Sequence, residues 1–231
     1  FKRCDVPREK PMPSHRRFAV VFAASVLLLS QPLFAFDSPL SDEAVRQAYF
    51  LGQRHDDSLA RALDKYTKTL PPPETGPHIA AVTFLTPFAL LAQSSSQRLN
   101  YSAQQAELDH RNQRETIKIV VEIRFTSTYG PFIVRPTGTR PDSPQGFSPR
   151  PYDFWKDFDV QALINDKVVL SLSSSGEPNL VCSDDGGCSF VGATITLEFL
   201  ASAFSSSSAT ILITPPGGDP TSVDFDLTSL R

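Results

Sequence analysis

The sequence predicts an α+β protein in which N-terminal helices pack on a C-terminal, immunoglobulin-like antiparallel β-sandwich. Three observations point there. Helical periodicity is confined to the stretch before residue 113, alternating apolar strands follow from residue 115, and turn-forming residues separate those strands. The division expected is a leader over residues 1–35, a mainly helical region over 36–112 with one strand near 79–85, and a sandwich over 113–231 with a proline-rich loop at 136–153.

The leader is read from MPSHRRFAVVFAASVLLLSQPLFA, which begins at the only methionine, Met12. His15, Arg16 and Arg17 form a charged segment, Phe18–Leu29 an apolar core, and Leu33-Phe34-Ala35 a cleavage site. Cleavage after Ala35 is expected, with residues 1–11 lying upstream of the true start. The alternative is an uncleaved signal anchor tethering the chain to a membrane. The apolar core, about 12 residues long, falls short of the roughly 20 that a spanning helix needs, which favours cleavage and no membrane span afterwards. The arginine pair lacks the rest of a twin-arginine signal, and no cysteine follows the apolar core to carry a lipid.

Composition narrows the function. Formal charge is −3 overall, with 22 Lys/Arg and 25 Asp/Glu. Residues 1–35 hold six of the bases and two of the acids, so the remainder carries 16 basic and 23 acidic groups. An acidic body of this kind excludes a nucleic-acid partner, which requires clustered cations to displace counterions.

Within the helical region, Ser41 is a capping residue, and Asp42 and Glu43 complement the positive end of the helix that follows. Val45, Ala48, Tyr49 and Gly52 share its inner face. After Asp56-Asp57, Leu59, Ala62, Leu63, Tyr66 and Leu70 keep helical spacing until Pro71-Pro72-Pro73 ends it. These stripes are expected to pack on the sandwich or on the helices of residues 86–112. Pro87 divides the apolar run from Ile79 to Leu91 into a strand, Ile79–Leu85, and a helix to about Gln97 capped by Thr86 with Pro87 at its first position. Ser102-Ala103-Gln104-Gln105 has the capping-box pattern and opens a helix to about Asn112.

Thr116–Thr126 then alternates, with Ile117, Ile119, Val121, Ile123 and Phe125 on one face and Lys118, Glu122 and Arg124 on the other. Phe132–Val134 is a short strand. Asp157–Ile164 and Lys167–Leu172 read as a hairpin turning at Asn165-Asp166. Thr194–Phe199, Ala209–Thr214 and Val223–Leu227 complete a sandwich pattern, without the Cys…Trp…Cys framework of true immunoglobulin domains.

Chemical signatures are sparse. No G-x-S-x-G, H-E-x-x-H, EF-hand, phosphate-loop or dinucleotide motif occurs. The serine runs 94–96, 173–175 and 205–208 read as flexible polar turns, and none of His55, His78 and His110 sits in a triad context. Asp and Glu gather with histidine at His55-Asp56-Asp57 and Glu107-Asp109-His110. Glu107 and His110 share a helix face, but one Glu-x-x-His copy does not make a di-metal site. No catalytic residue, metal ligand or cofactor is therefore assigned.

Cys182 and Cys188 enclose Ser-Asp-Asp-Gly-Gly, and Leu180 and Phe190 continue a period-two pattern outward. That spacing reads as a disulfide-pinned hairpin around Asp185, with Gly186 or Gly187 in the left-handed conformation. Two acids are too few for calcium, and C-x5-C is not the redox spacing.

A binding loop is expected at residues 136–155, where arginines interleave with aromatics: Arg140, Phe147, Arg150, Tyr152 and Trp155. Against it stands the reading that Phe154 and Trp155 anchor the loop's end to the sandwich. Function is thus expected to be that of an exported, periplasmic or extracellular, non-enzymatic binding or structural module, with a protein or cell-envelope component as partner. The alternative is an exported hydrolase acting on an envelope or extracellular polymer.

Overall fold

The computed structural model describes residues 36–54, 56–136, 145–184 and 186–231. The leader, His55, Arg140 and Asp185 lie outside these residues. Among the described residues the protein is α+β, with four α-helices and antiparallel sheets.

The helical layer comprises α1 (Asp42–Gly52), α2 (Ser58–Asp64), α3 (Pro87–Gln97) and α4 (Ala103–Asn112). Three of the helices start on hydroxyl caps. Ser41 Oγ accepts from Ala44 N, Thr86 Oγ1 from Ala89 N, and Ser102 Oγ from Gln105 N. The capping box of α4 is half formed, because the Gln105 amide turns forward to Asp109. Before α2 it is Asp56 that accepts from Ser58 N, while Asp57 makes no side-chain cap. Ala44, Val45 and Ala48 of α1 pack with Phe88 and Ala92 of α3 and Ala106 of α4. Small residues let the helices approach closely: a Cβ at Gly52 would lie 2.1 Å from Ala92 O.

The larger sheet runs β1 (Thr67–Thr69), β2 (His78–Leu85), β3 (Thr116–Arg124), β9 (Cys188–Leu200), β8 (Ser173–Cys182), in that spatial order. The smaller runs β11 (Thr221–Asp226), β10 (Ser208–Thr214), β6 (Asp159–Ile164), β7 (Lys167–Val169). A separate ribbon pairs β4 (Phe132–Pro136) with β5 (Gln145–Pro149). Both large sheets bury side chains in one cluster. Ile117, Ile119, Val121 and Ile123 of β3 are wholly buried there, each worth about 1.5–3 kcal/mol relative to exposure. Phe84 joins the sheets, its ring 5.4 Å from that of Phe225 and 5.4 Å from that of Phe204.

Three expectations change. The helix read to Leu70 ends at Asp64, and Thr67–Thr69 pairs with Thr83–Ala81, because an open sheet edge offers these β-branched residues more than another helical turn would. The serine runs are not all turns. Ser94–Ser96 lie in α3, and Ser173–Ser175 open β8 opposite Glu198–Thr196. Within the stretch read as a proline-rich loop, Gln145–Pro149 forms β5. At the β6–β7 hairpin, Asn165 (φ 49°) and Asp166 (φ 62°) both take the left-handed conformation that a two-residue I′ turn requires.

Gly192 marks the tightest contact between β9 and β3. A Cβ there would sit 1.9 Å from Ile123 O, which is backbone and cannot swing aside. Gly192→Ala is expected to lower stability by at least about 2 kcal/mol in urea denaturation. A loss below about 0.5 kcal/mol would contradict the packing described.

Candidate functional site

β3 ends at Arg124, and the chain stays tied to the sheet for one more residue, Phe125 N donating to Val191 O at 2.9 Å. A turn closed by Thr126 and Tyr129 then leads out into β4. Opposed residues of an antiparallel pair share a face. The pairs Phe132–Pro149 and Val134–Phe147 therefore put four apolar side chains on one side of the ribbon. Phe147 is 79% exposed, Phe132 58% and Val134 52%.

Tyr152 is also exposed, and its ring meets Phe190 of β9 edge-on at 6.0 Å. Phe190 pairs in turn with Leu180, itself exposed, two residues before the cysteines of the β8–β9 hairpin. An apolar ribbon and an aromatic–aliphatic cluster thus lie close together, linked through Tyr152 and Phe190.

The five residues nominated from sequence separate by environment. Phe147 and Tyr152 point to solvent here. Arg150 is used inside the fold. Its backbone N donates to Pro131 O at 2.7 Å, its Nε to Gly130 O at 3.0 Å, and its guanidinium lies 3.8 Å from the Tyr129 ring centre. Phe125 and Phe154 complete a cage, each centred 5.9 Å away. Burial pushes the Tyr129 phenol above its usual pKa, and the Arg150 charge opposes that shift. Trp155 is half-buried against β8, where a Cβ on Gly176 would come within 2.4 Å of its indole, while Phe154 is buried. Arg140 lies outside the described residues.

The disulfide reading fits the geometry. Cys182 and Cys188 are register partners with Cα atoms 4.0 Å apart and sulfurs 2.02 Å apart. Gly186 (φ 85°) supplies the left-handed residue, and Gly186 N donates to Ser183 O.

The acid–histidine cluster on α4 disperses. Glu107 pairs with Arg46 at 3.1 Å. Asp109 takes hydrogen bonds from Gln105, Arg98 and Tyr101, and the Gln105 amide foremost among them holds its carboxyl below the usual range. His110 Nε2 lies 3.2 Å from Glu115 Oε1. Glu115, which sequence reasoning passed over, also accepts from Ser38 Oγ at 2.6 Å and from Leu40 N at 2.5 Å. A serine relay would place the hydroxyl on the imidazole. Here the Ser38 hydroxyl donates its hydrogen bond to the Glu115 carboxylate instead. Among the described residues no group of three or more His, Cys, Asp or Glu is arranged to hold a metal ion.

Compared with known proteins, the sequence matches neither a family model nor a curated protein, so the functional reading rests on geometry.

Two measurements check this assignment of roles. Phe147→Ser and Tyr152→Ser should leave unfolding free energy within about 0.5 kcal/mol of the parent, whereas Arg150→Ala should cost about 1–2 kcal/mol by emptying the aromatic cage. Denatured, unreduced mature protein, beginning at Phe36, should titrate no thiol. Two thiols would refute the pairing of Cys182 with Cys188.

Proposed function

We propose that this chain is an exported, non-enzymatic binding module of the cell envelope or extracellular space. Its β-rich part is read as an immunoglobulin-like sandwich. The strand order supports that reading: β2-β3-β9-β8 opposite β11-β10-β6-β7 corresponds to A-B-E-D opposite G-F-C-C′. Export is supported by the leader pattern, and by a cysteine pair at disulfide distance, of the kind that persists in oxidising compartments. Among the described residues no helix is long and apolar enough to cross a membrane.

The observation that carries the binding reading is the exposed apolar end of the sandwich: Phe132, Val134 and Phe147 on the ribbon, with Tyr152 and Leu180 beside it. Concentrated aromatic exposure of this kind is typical of surfaces that bury against a partner. The partner is read as a protein or an envelope component.

The alternative, an exported hydrolase, has one observation in its favour: the Glu115–His110 pair converges at a cleft lined by both residues. It lacks a hydroxyl on the imidazole, and the other acid lining that cleft, Asp42, is paired with Arg111 at 3.1 Å.

A photo-crosslinking residue placed at 147 or 152, in the full chain expressed in its native envelope, tests the binding reading. Position 99 serves as the control, because Leu99 is 94% exposed on the helical layer. A defined adduct is expected from 147 and 152 and not from 99, on a protein whose N-terminal residue is Phe36. Equal labelling from all three positions would overturn the proposed face, and an N-terminus still carrying residues 12–35 would overturn the cleaved leader.

A further inference from the structure

We propose that the seam between the helical layer and the sandwich is a second binding site, one that takes a single-chain amphiphile ending in a carboxylate. This site is independent of the apolar ribbon end and stands whether or not that end binds a partner.

The seam holds a cavity of about 760 Å³, within the range of about 300–1,000 Å³ common to small-molecule sites. Its apolar walls are Phe36 and Leu40 from the segment preceding α1, and Leu200, Ala201 and Phe204 from the end of β9 and the turn after it. Phe36, Ala201 and Phe204 belong to the buried cluster of the sandwich, while Leu40 belongs to that of the helices. The cavity is therefore the place where two separately packed cores meet without interdigitating. The space opens to solvent along a rim of exposed residues, among them Asp42, Arg111, Arg114, Ser202 and Ser205, so a ligand can enter it from outside.

The charges at its rim decide which end group fits. Asp42 is paired with Arg111, and Glu115 with His110, Ser38 and the Leu40 amide. Arg114 remains. It is exposed, lines the cavity, and has no ion-pair partner among the described residues. It also borders an adjoining, more polar cleft of about 320 Å³, together with Gln113 and Glu115. An apolar chain entering from the rim leaves its head group beside an uncompensated guanidinium, whose fork matches a carboxylate in two parallel hydrogen bonds. A cationic head would meet the same unpaired Arg114 charge and be repelled by it.

Calorimetric titration of the full chain with sodium dodecanoate and with dodecanol, both below their aggregation limits, separates tail from head. One dodecanoate per chain is expected, with dodecanol at least about tenfold weaker, as befits loss of a charge-assisted hydrogen-bond pair. Arg114→Gln should bring dodecanoate down to the level of dodecanol. Ser202→Trp, on the exposed rim, should block both ligands while the melting temperature holds, and Ser205→Trp repeats that block should the first variant fold poorly. Absence of dodecanoate binding, equal affinity for acid and alcohol, or binding indifferent to Arg114→Gln would each overturn the proposal.

Discussion

The carboxylate of Glu115 holds the two layers together. It is largely shielded from water, with 13% of its side chain exposed, and a shielded charge is tolerated only when donors replace the lost hydration. Ser38 and the Leu40 amide supply two such donors from the segment leading to α1, and His110 supplies the third contact from the last turn of α4. The backbone carbonyl of the same residue accepts from Ala201 N at 3.1 Å, fixing the turn that ends β9. Thr116, the next residue, begins the most deeply buried strand. The first helix, the last helix and the sheet are thus brought together at one residue. Arg231 makes a second clasp elsewhere on the seam. Its Nε reaches Asp37 at 3.1 Å, its guanidinium lies 4.8 Å from the Phe88 ring centre, and its carbonyl accepts from the hydroxyls of Tyr66 and Thr86.

This arrangement explains the open space beside Glu115. Hydrogen bonds of fixed length hold the helical layer at the seam, whereas an interdigitated core would draw the layers into contact. The helices satisfy their own apolar stripe among themselves, through Val45, Phe88 and Ala106, and do not need the sheets to cover it. Leu40 faces one core and Phe36 the other, four residues apart on a segment held by polar bonds. The segment thus seats one apolar side chain in each core while its polar groups bind Glu115, and the cavity lies between these anchor points.

Features written in neighbouring residues were legible in the sequence. The hydroxyl caps at Ser41, Thr86 and Ser102, the Pro87 helix start, the alternation through Ile117–Ile123 and the Asn165-Asp166 turn each depend on chemistry within a few positions. What was not legible depends on partners far along the chain. Thr67–Thr69 is a strand only because Ala81–Thr83 lies beside it, and Ser173–Ser175 joins the sheet only because Thr196–Glu198 supplies its backbone hydrogen bonds. Arg150 and Trp155 looked like recognition residues because arginine and tryptophan serve interfaces and cores with the same chemistry. Only Tyr129 and Gly176, 21 residues away in each case, decide that these two are consumed within the fold. The seam cavity draws on residues near 36, 114 and 201, and no local pattern announces such a convergence.

The two-stranded ribbon raises a different physical question, because an isolated pair of strands is marginal in water. Arg150 answers it. The guanidinium sits among Tyr129, Phe125 and Phe154, and the residue's backbone and side-chain donors close on Pro131 and Gly130, so the base of the ribbon is fastened where it leaves the larger sheet. The ribbon's edges are also poor templates for a further strand. Pro131, Pro136, Pro149 and Pro151 lie in or beside its strands and lack the N–H that strand addition requires. A partner meeting this end therefore finds few main-chain donors at the edges and an apolar side-chain face between them. On the proposed binding reading, recognition would proceed through Phe132, Val134 and Phe147, with specificity from shape and aromatic contact rather than from β-augmentation.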